Sequence, residues 1–247
     1  MSQKILTIIP VRLASTRLPN KPLADICGKT MIERVYQNAI AADIGDVLIA
    51  CDGLEIADEV ERFGGKYVIT NPDLKSGTDR IYQAFEKFGF GDYDVIVNLQ
   101  GDLPEIDPKL IKAAADCLID NDCDVATIAS MTNDPEEYND PNVVKIAISF
   151  KEEGQGRALY FSRSPIPHSK DVGYFYHHIG IYAYKKSSLQ NFVNLQQSDL
   201  EKKESLEQLR ALENDMSIFV KIVDSHPVSV DTPDDLEKVK KIINEKG

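Results

Sequence analysis

Three cations, Arg12, Arg17 and Lys21, stand in the stretch IPVRLASTRLPNKP with no acid among them. Arginine forks and lysine point charges are the side chains that hold phosphate groups. With the Ser15 and Thr16 hydroxyls and the loop's own N–H groups they suit a polyphosphate; a solvated surface loop is the other reading of the same residues. Neither GxxxxGKS/T nor GxGxxG occurs here, and no glycine lies between Ile9 and Asp25, so the loop is neither a P-loop nor a dinucleotide turn. Asp102, in NLQGDLP, is a candidate Mg²⁺ ligand, since magnesium takes hard oxygens and few protein carboxylates. Its other reading is a turn former between glycine and proline. Asp231, in VSVDTPDDL, is the candidate second carboxylate; it could instead cap a helix, but Thr232 beside it can do that. Ser76, Gly77 and Thr78 form a tight turn into a helix, where glycine would admit a flat ligand or simply precede an ordinary cap.

These residues need elements to place them. The run ILTII, Ile5 to Ile9, is continuously apolar and bounded by Pro10, as a buried parallel strand requires. Thr30 and Glu33 read as a capping box, opening a helix with Met31, Ile32, Val35, Tyr36, Ala39 and Ile40 on one face. A strand at 46–50, a helix at 54–63, the strand KYVI, a helix at 78–88, the strand DVIVNL and a helix at 108–119 continue the alternation, followed by DVATIAS. Repeated strand–helix order predicts a doubly wound, mostly parallel α/β sheet, and ligands of such sheets bind where strands end. After Met131 the rhythm changes: NVVKIAIS and HHIGIYAYK read as strands, and FSRSPIPHSKDVG is too rich in turn formers for regular structure. This predicts a smaller mixed or antiparallel extension, about residues 132–200, inserted in one nucleotidyltransferase-sized domain spanning 1–247. Helices are expected at 186–195 and 203–214, then the strand SIFVKIV, then a helix capped by Thr232 with Pro233 at its first turn.

The chain has 247 residues, 43% of them hydrophobic, enough for a sizeable core. Its formal net charge of -12 argues against broad nucleic-acid or membrane-surface binding, which rest on positive surfaces. An acidic protein that handles an anion needs a local cationic pocket. No stretch reaches the length of a membrane span, and the N-terminal MSQKILTIIPVR reads as a strand rather than a signal peptide. Cys27, Cys51, Cys117 and Cys123 lack CxxC spacing, so free thiols in a reducing cytoplasm are expected and a zinc site among them is not.

IPVRLASTRLPNKPL, SGTDR, NLQGDLP, ALYFSR, HHIGIYAYK, LEQLRAL and VDTPDDLEKV follow one another from the first strand to the last helix. Together they resemble the 3-deoxy-manno-octulosonate (KDO) cytidylyltransferases, the CMP-KDO synthetases. Each motif alone is weak; seven in register are specific. Sugar-nucleotide pyrophosphorylases open on a glycine-rich GxGTR-type loop, whereas this chain has arginine and alanine there, as the CMP-sugar branch does. The resemblance implies that CTP and KDO give CMP-KDO and pyrophosphate, for lipopolysaccharide synthesis, in a cytoplasmic homodimer. It also implies roles. Arg12, Ser15, Arg17 and Lys21 would hold the triphosphate, and Ser76, Gly77 and Arg80 the cytosine and ribose. Gln100 and Asp102 would approach the reacting centre, and Asp102 with Asp231 would bind Mg²⁺. Arg163, His178, Tyr182, Glu207 and Gln208 would surround the sugar acid. One departure stands out: the motif often reads QGDEP, and Leu103 replaces that acid. Competing readings are a cytidylyltransferase for another acidic sugar, such as 8-amino-KDO or a sialic acid, and a catalytically silent nucleotide-binding module.

Overall fold

The computed structural model describes residues 3–14, 17–89, 91–169, 173–224 and 226–246. In chain order its strands and helices are β1 (Ile5–Pro10), β2 (Asp25–Ile26), β3 (Lys29–Thr30), α1 (Met31–Ala41), β4 (Asp46–Cys51), α2 (Leu54–Arg62), β5 (Tyr67–Ile69), α3 (Gly77–Gly89), β6 (Val95–Asn98) and α4 (Pro108–Asp120). There follow β7 (Val125–Thr132), α5 (Pro135–Asn139), β8 (Lys145–Glu152), β9 (Gln155–Ser162), β10 (Phe175–Lys185), α6 (Lys186–Asn194), α7 (Asp199–Glu204), α8 (Leu209–Glu213), β11 (Ile218–Val223) and α9 (Pro233–Lys246). The chain divides into two compact units: Met1–Lys112 with Pro227–Gly247, and Ala113–His226.

The first unit carries the parallel strands in the order β5-β4-β1-β6. Every residue of β1 is buried, which is why its sequence is apolar without alternation. The chain leaves β1 towards β4 and β5, then returns to pair β6 on the other side of β1, with Ile8 opposite Asn98. Strand order therefore reverses at β1, and the loops after β1 and β6 open into the crevice that such a reversal creates. These two loops hold the cationic stretch and the NLQGDLP motif.

A separate apolar cluster supports the crevice from below. Ile26, Met31, Val230 and Val239 are fully buried together, with Leu18, Ala24, Cys27, Val228, Leu236 and Ile243 packed on them. It joins the small β2–β3 hairpin, the start of α1 and the C-terminal helix. The hairpin turns through Cys27 and Gly28, both at positive φ, the conformation a tight two-residue hairpin requires. The segment between β1 and this hairpin, which carries Lys21, and the segment before α9, which carries Asp231, are thus anchored to one patch of core.

In the second unit β7 pairs antiparallel with β10 and parallel with β11, β11 is antiparallel to β9, and β9 to β8. This is the mixed sheet expected after Met131. The strand β9 was not anticipated, because QGRALYFS alternates buried and exposed positions only after a Gly154 turn. The helix expected at 203–214 is a correction: α7 stops at Ser205, whose φ of 53° lies in the left-handed region, and α8 starts only at Leu209. Ser198 and Glu201 form a complete capping box that starts α7 earlier than the periodicity indicated. Glu207 and Gln208 consequently lie in the turn before α8 rather than on a long helix. At α1, Thr30 accepts the Glu33 N–H as expected, while the Glu33 carboxylate engages Gln37 and Arg62. All four cysteines are free thiols, and burial pushes Cys51 and Cys123 up to about 11 and Cys117 to about 12.

Candidate active site

A cavity of about 740 Å³ opens in the first unit, at the ends of β1 and β6. Its described lining includes Arg12, Arg17, Lys21, Ser76, Gly77, Arg80, Gln100, Asp102 and Asp231. Residues separated by 80 to 210 positions in sequence therefore meet in one place. Ser15 lies outside the described residues. Lys75 also lines the cavity, so five cations face two carboxylates there. That is the local positive pocket an acidic chain needs in order to hold an anion.

Lys21 is the hub. Its Nζ donates to Asp102 Oδ2 at 2.9 Å and to Asp231 Oδ1 at 2.9 Å. The other Asp231 oxygen meets Arg17 Nη2 at 3.2 Å. Burial alone would lower the Lys21 pKa, but the two carboxylates outweigh it and hold the ammonium above its usual value. Backbone geometry makes this convergence possible. The Val230 N–H donates to the Asp102 carbonyl at 3.0 Å, tying the two aspartate loops together. Gly101 lets the loop after β6 close on the loop after β1: a Cβ there would fall 2.5 Å from Val11 Cγ1. Cap duty is taken elsewhere. Asp235 Oδ2 accepts from the Asp231 and Thr232 N–H groups and the Thr232 hydroxyl, and Thr232 Oγ1 accepts the Asp235 N–H. Asp231 is left to face the cavity. Leu103 is buried at 6% exposure, so the acid often found at this position has been replaced by a side chain that packs in apolar surroundings.

Arg80 is 3% exposed and donates to Thr70 Oγ1 and the Asn71 carbonyl. Burial lowers its pKa, opposed by the Asp52 carboxylate. Asp52 was missed from sequence. It follows β4, a strand-end position like that of Asp102, and its Oδ1 accepts the Leu13 N–H at 3.2 Å, fixing the opening loop. Ser76 Oγ accepts the Asp79 N–H and so caps α3 while lining the cavity. A Cβ at Gly77 would meet only Pro10, at 3.5 Å, so the fold itself leaves room for one; any demand for glycine there comes from a ligand. Gln100 Nε2 donates to Asn98 Oδ1 at 3.2 Å.

The two carboxylates meet the requirements of a hard-cation site: oxygens from distant loops touch one and the same cationic nitrogen. Magnesium fits this donor set, with phosphate oxygens and waters to complete its shell.

The remaining predicted residues lie in the second unit. His178 and Tyr182 sit on either side of a bulge in β10 between Ile179 and Tyr182, which brings their rings to 5.4 Å. Thr127 pins that bulge: its Oγ1 lies 2.7 Å from the Ile181 carbonyl, 3.2 Å from that of Ile179 and 3.0 Å from His178 Nε2. The single hydroxyl proton goes to a carbonyl, so His178 donates from Nε2. Thr127 gave no sequence signal beyond its place in an apolar strand. Burial pushes the Tyr182 phenol well up, with Tyr184 and Glu207 adding to the rise. Arg163 donates to the carbonyls of Glu204, Pro141 and Ser205, keeping two of its five N–H groups for other partners. Gln208 is buried, and Arg210 Nη2 stands 3.9 Å from Glu207 Oε1.

His178 carries a pH signature. Burial depresses its pKa to about 3. The unfolded chain, with an ordinary value near 6.5, binds a proton that the fold excludes, so stability is lost as pH falls below about 6.5 and this loss ends near the folded value. Between pH 7.5 and 5 the contribution amounts to about 2 kcal/mol. Urea midpoints should drop accordingly in the wild type and drop less in His178→Gln; equal slopes in the two proteins would refute the burial of a neutral ring.

The cytidylyltransferase family model matches residues 6–218. A 3-deoxy-manno-octulosonate cytidylyltransferase from Parvibaculum lavamentivorans is 50% identical over 95% of this chain and 91% of its own. One from Paramagnetospirillum magneticum is 47% identical over 96% of both. The solved structure of CMP:2-keto-3-deoxy-manno-octonic acid synthetase complexed with CTP superposes with a TM-score of 0.91 at 37% identity, covering 99% of this chain and 100% of that one. A cytidylyltransferase from Leptospira borgpetersenii, 16% identical with a TM-score of 0.66 over 99% of this chain and 88% of its own, shares the fold. Matched along nearly its whole length by such relatives, the chain belongs to the cytidylyltransferase family, among the 3-deoxy-manno-octulosonate cytidylyltransferases.

Proposed function

We propose that this protein transfers the cytidylyl group of CTP to KDO, releasing pyrophosphate. The observation that carries this reading is the shared contact of Asp102 and Asp231 with Lys21 inside a cavity lined by Arg12, Arg17 and Arg80. The anomeric hydroxyl of the sugar acid attacks the α-phosphorus, the bond to the β-phosphate oxygen breaks, and no covalent enzyme intermediate is needed. Arg12, Arg17 and Lys21 hold the triphosphate and neutralise charge on the departing pyrophosphate. Ser76, Gly77 and Arg80 receive the cytosine and ribose, and Gln100 lies beside the reacting centre. Asp102 and Asp231 hold Mg²⁺, which when bound supplies charge neutralisation at the phosphoryl oxygens. In the second unit Arg163 pairs with the sugar carboxylate through its two remaining N–H groups, and His178, Tyr182, Glu207 and Gln208 contact the sugar hydroxyls. Neutral His178 can offer only a hydrogen bond, not a charge.

In this reading the enzyme works as a homodimer in the cytoplasm and supplies activated KDO for lipopolysaccharide. Among the described residues no helix is long and apolar enough to cross a membrane. The deciding experiment is pyrophosphate release from CTP with KDO, 8-amino-KDO and a sialic acid, each with and without Mg²⁺. KDO should give the highest kcat/KM, and release should need magnesium. A preference for another acid would reassign the substrate, and CTP binding without turnover of any acid would make the chain a silent nucleotide-binding module.

A further inference from the structure

We propose that Glu137, His177 and His226 of the second unit form a binding site for a zinc-class divalent cation, separate from the carboxylate pair of the nucleotide cavity. One ligand atom from each of the three lies within 4.8 Å of the other two. Glu137 comes from α5, His177 from the start of β10, and His226 from just beyond β11. Strand register brings them together: Ser130 of β7 is opposite His177 on one side and Val223 on the other. Tyr138 anchors α5 by its hydroxyl on the Pro167 carbonyl at 2.8 Å and its ring on Phe175, which holds the neighbouring Glu137 in place.

The Glu137 carboxylate spans two imidazoles. Oε1 is 3.2 Å from His226 Nε2, and Oε2 is 3.4 Å from His177 Nδ1. Charged hydrogen bonds between such groups would be shorter, about 2.7–2.9 Å. A tetrahedral ion with bonds of about 2.0–2.1 Å holds its ligand atoms about 3.4 Å apart, close to both spacings. Glu137 Oε2 and His177 Nδ1 are buried, and neither has a hydrogen-bond partner. Two buried lone pairs thus face one another with no donor between them, an arrangement that a cation relieves. His226 Nδ1 lies 3.1 Å from Ser130 Oγ. Placing the ring proton on Nδ1, donated to that hydroxyl, leaves the Nε2 lone pair directed at the cluster; such outer partners orient metal-bound histidines. Burial and the neighbouring His226 hold His177 below its ordinary pKa, with Glu137 acting against them. The exposed His226 gives an ion access from solvent. Two imidazoles and one carboxylate suit zinc and its late-transition neighbours rather than magnesium, and a water would complete four-coordination.

Cobalt(II) reads this geometry directly. Metal-stripped full-length protein titrated with Co²⁺ should develop the intense visible absorption of a tetrahedral nitrogen-ligated ion, and Zn²⁺ should bleach it. His177→Ala and His226→Ala should each weaken binding by about 100-fold or more, while Asp102→Asn keeps the band. His226 is exposed, so its variant is expected to retain the wild-type circular dichroism; Glu137→Gln, which preserves shape, checks the carboxylate. No intense band in the wild type, or a band that survives both histidine substitutions, would overturn the site.

Discussion

Asp102→Asn is expected to lower kcat/KM for pyrophosphate release by roughly 10³-fold, about 4 kcal/mol of transition-state stabilisation. The amide has the shape of the carboxylate and can still accept from Lys21, so the loop need not move. What it lacks is charge. Two anions now converge on Lys21, and the same pair is required to hold a divalent cation beside the triphosphate. With Asp231 still paired to both Lys21 and Arg17, the fold should keep its thermal midpoint and circular dichroism. Wild-type turnover of the variant at saturating magnesium would remove Asp102 from the metal pair and with it the mechanism proposed for this cavity.

Arg210→Met should be among the most destabilising single changes in the second unit. Arg210 and Glu201 are joined by two hydrogen bonds of 2.8 and 2.6 Å, with side chains 9% and 5% exposed. The guanidinium also lies 4.9 Å from the Phe192 ring centre. Burial would raise the Glu201 pKa, but Arg210 and the Ser198 N–H outweigh it and hold the carboxyl below its usual range. Removing the cation strands a buried anion, a loss of about 3–5 kcal/mol. Replacing both partners, Arg210→Met with Glu201→Leu, should recover much of that loss. Glu201 also closes the capping box of α7, so the 205–208 turn loses definition with it, and KM for the sugar acid should rise more than KM for CTP. Urea unfolding reads the first effect; a loss below about 1 kcal/mol would show that water already screens the pair.

The parallel half of the fold was legible because its signals are local. β1 and β6 are apolar runs, Thr30 announces α1, and Thr232 with Asp235 announces α9. The strand-end rule then pointed to the loops that line the cavity. What sequence could not supply was pairing between distant segments. Asp52 looked like any turn aspartate until its bond to the Leu13 N–H placed it under the cationic loop. Thr127 is one polar residue in a buried strand, and only the bulge in its partner gives it work to do. The long helix expected at 203–214 failed because helical periodicity does not register a left-handed residue such as Ser205. His177 and His226 are 49 positions apart and carry no spacing signal; a strand register joins them. Leu103 was read as a harmless departure, and its burial supplies the reason.

The first unit is assembled from both flanks of the second, with residues 227–246 contributing Asp231 and the helix whose Val239 completes the lower cluster. During synthesis the ribosome delivers every residue of the second unit before that returning segment. The inserted unit can therefore mature while its neighbour still lacks a helix and one of its two acids, so a nascent chain stays without a working cavity until its final stretch has emerged.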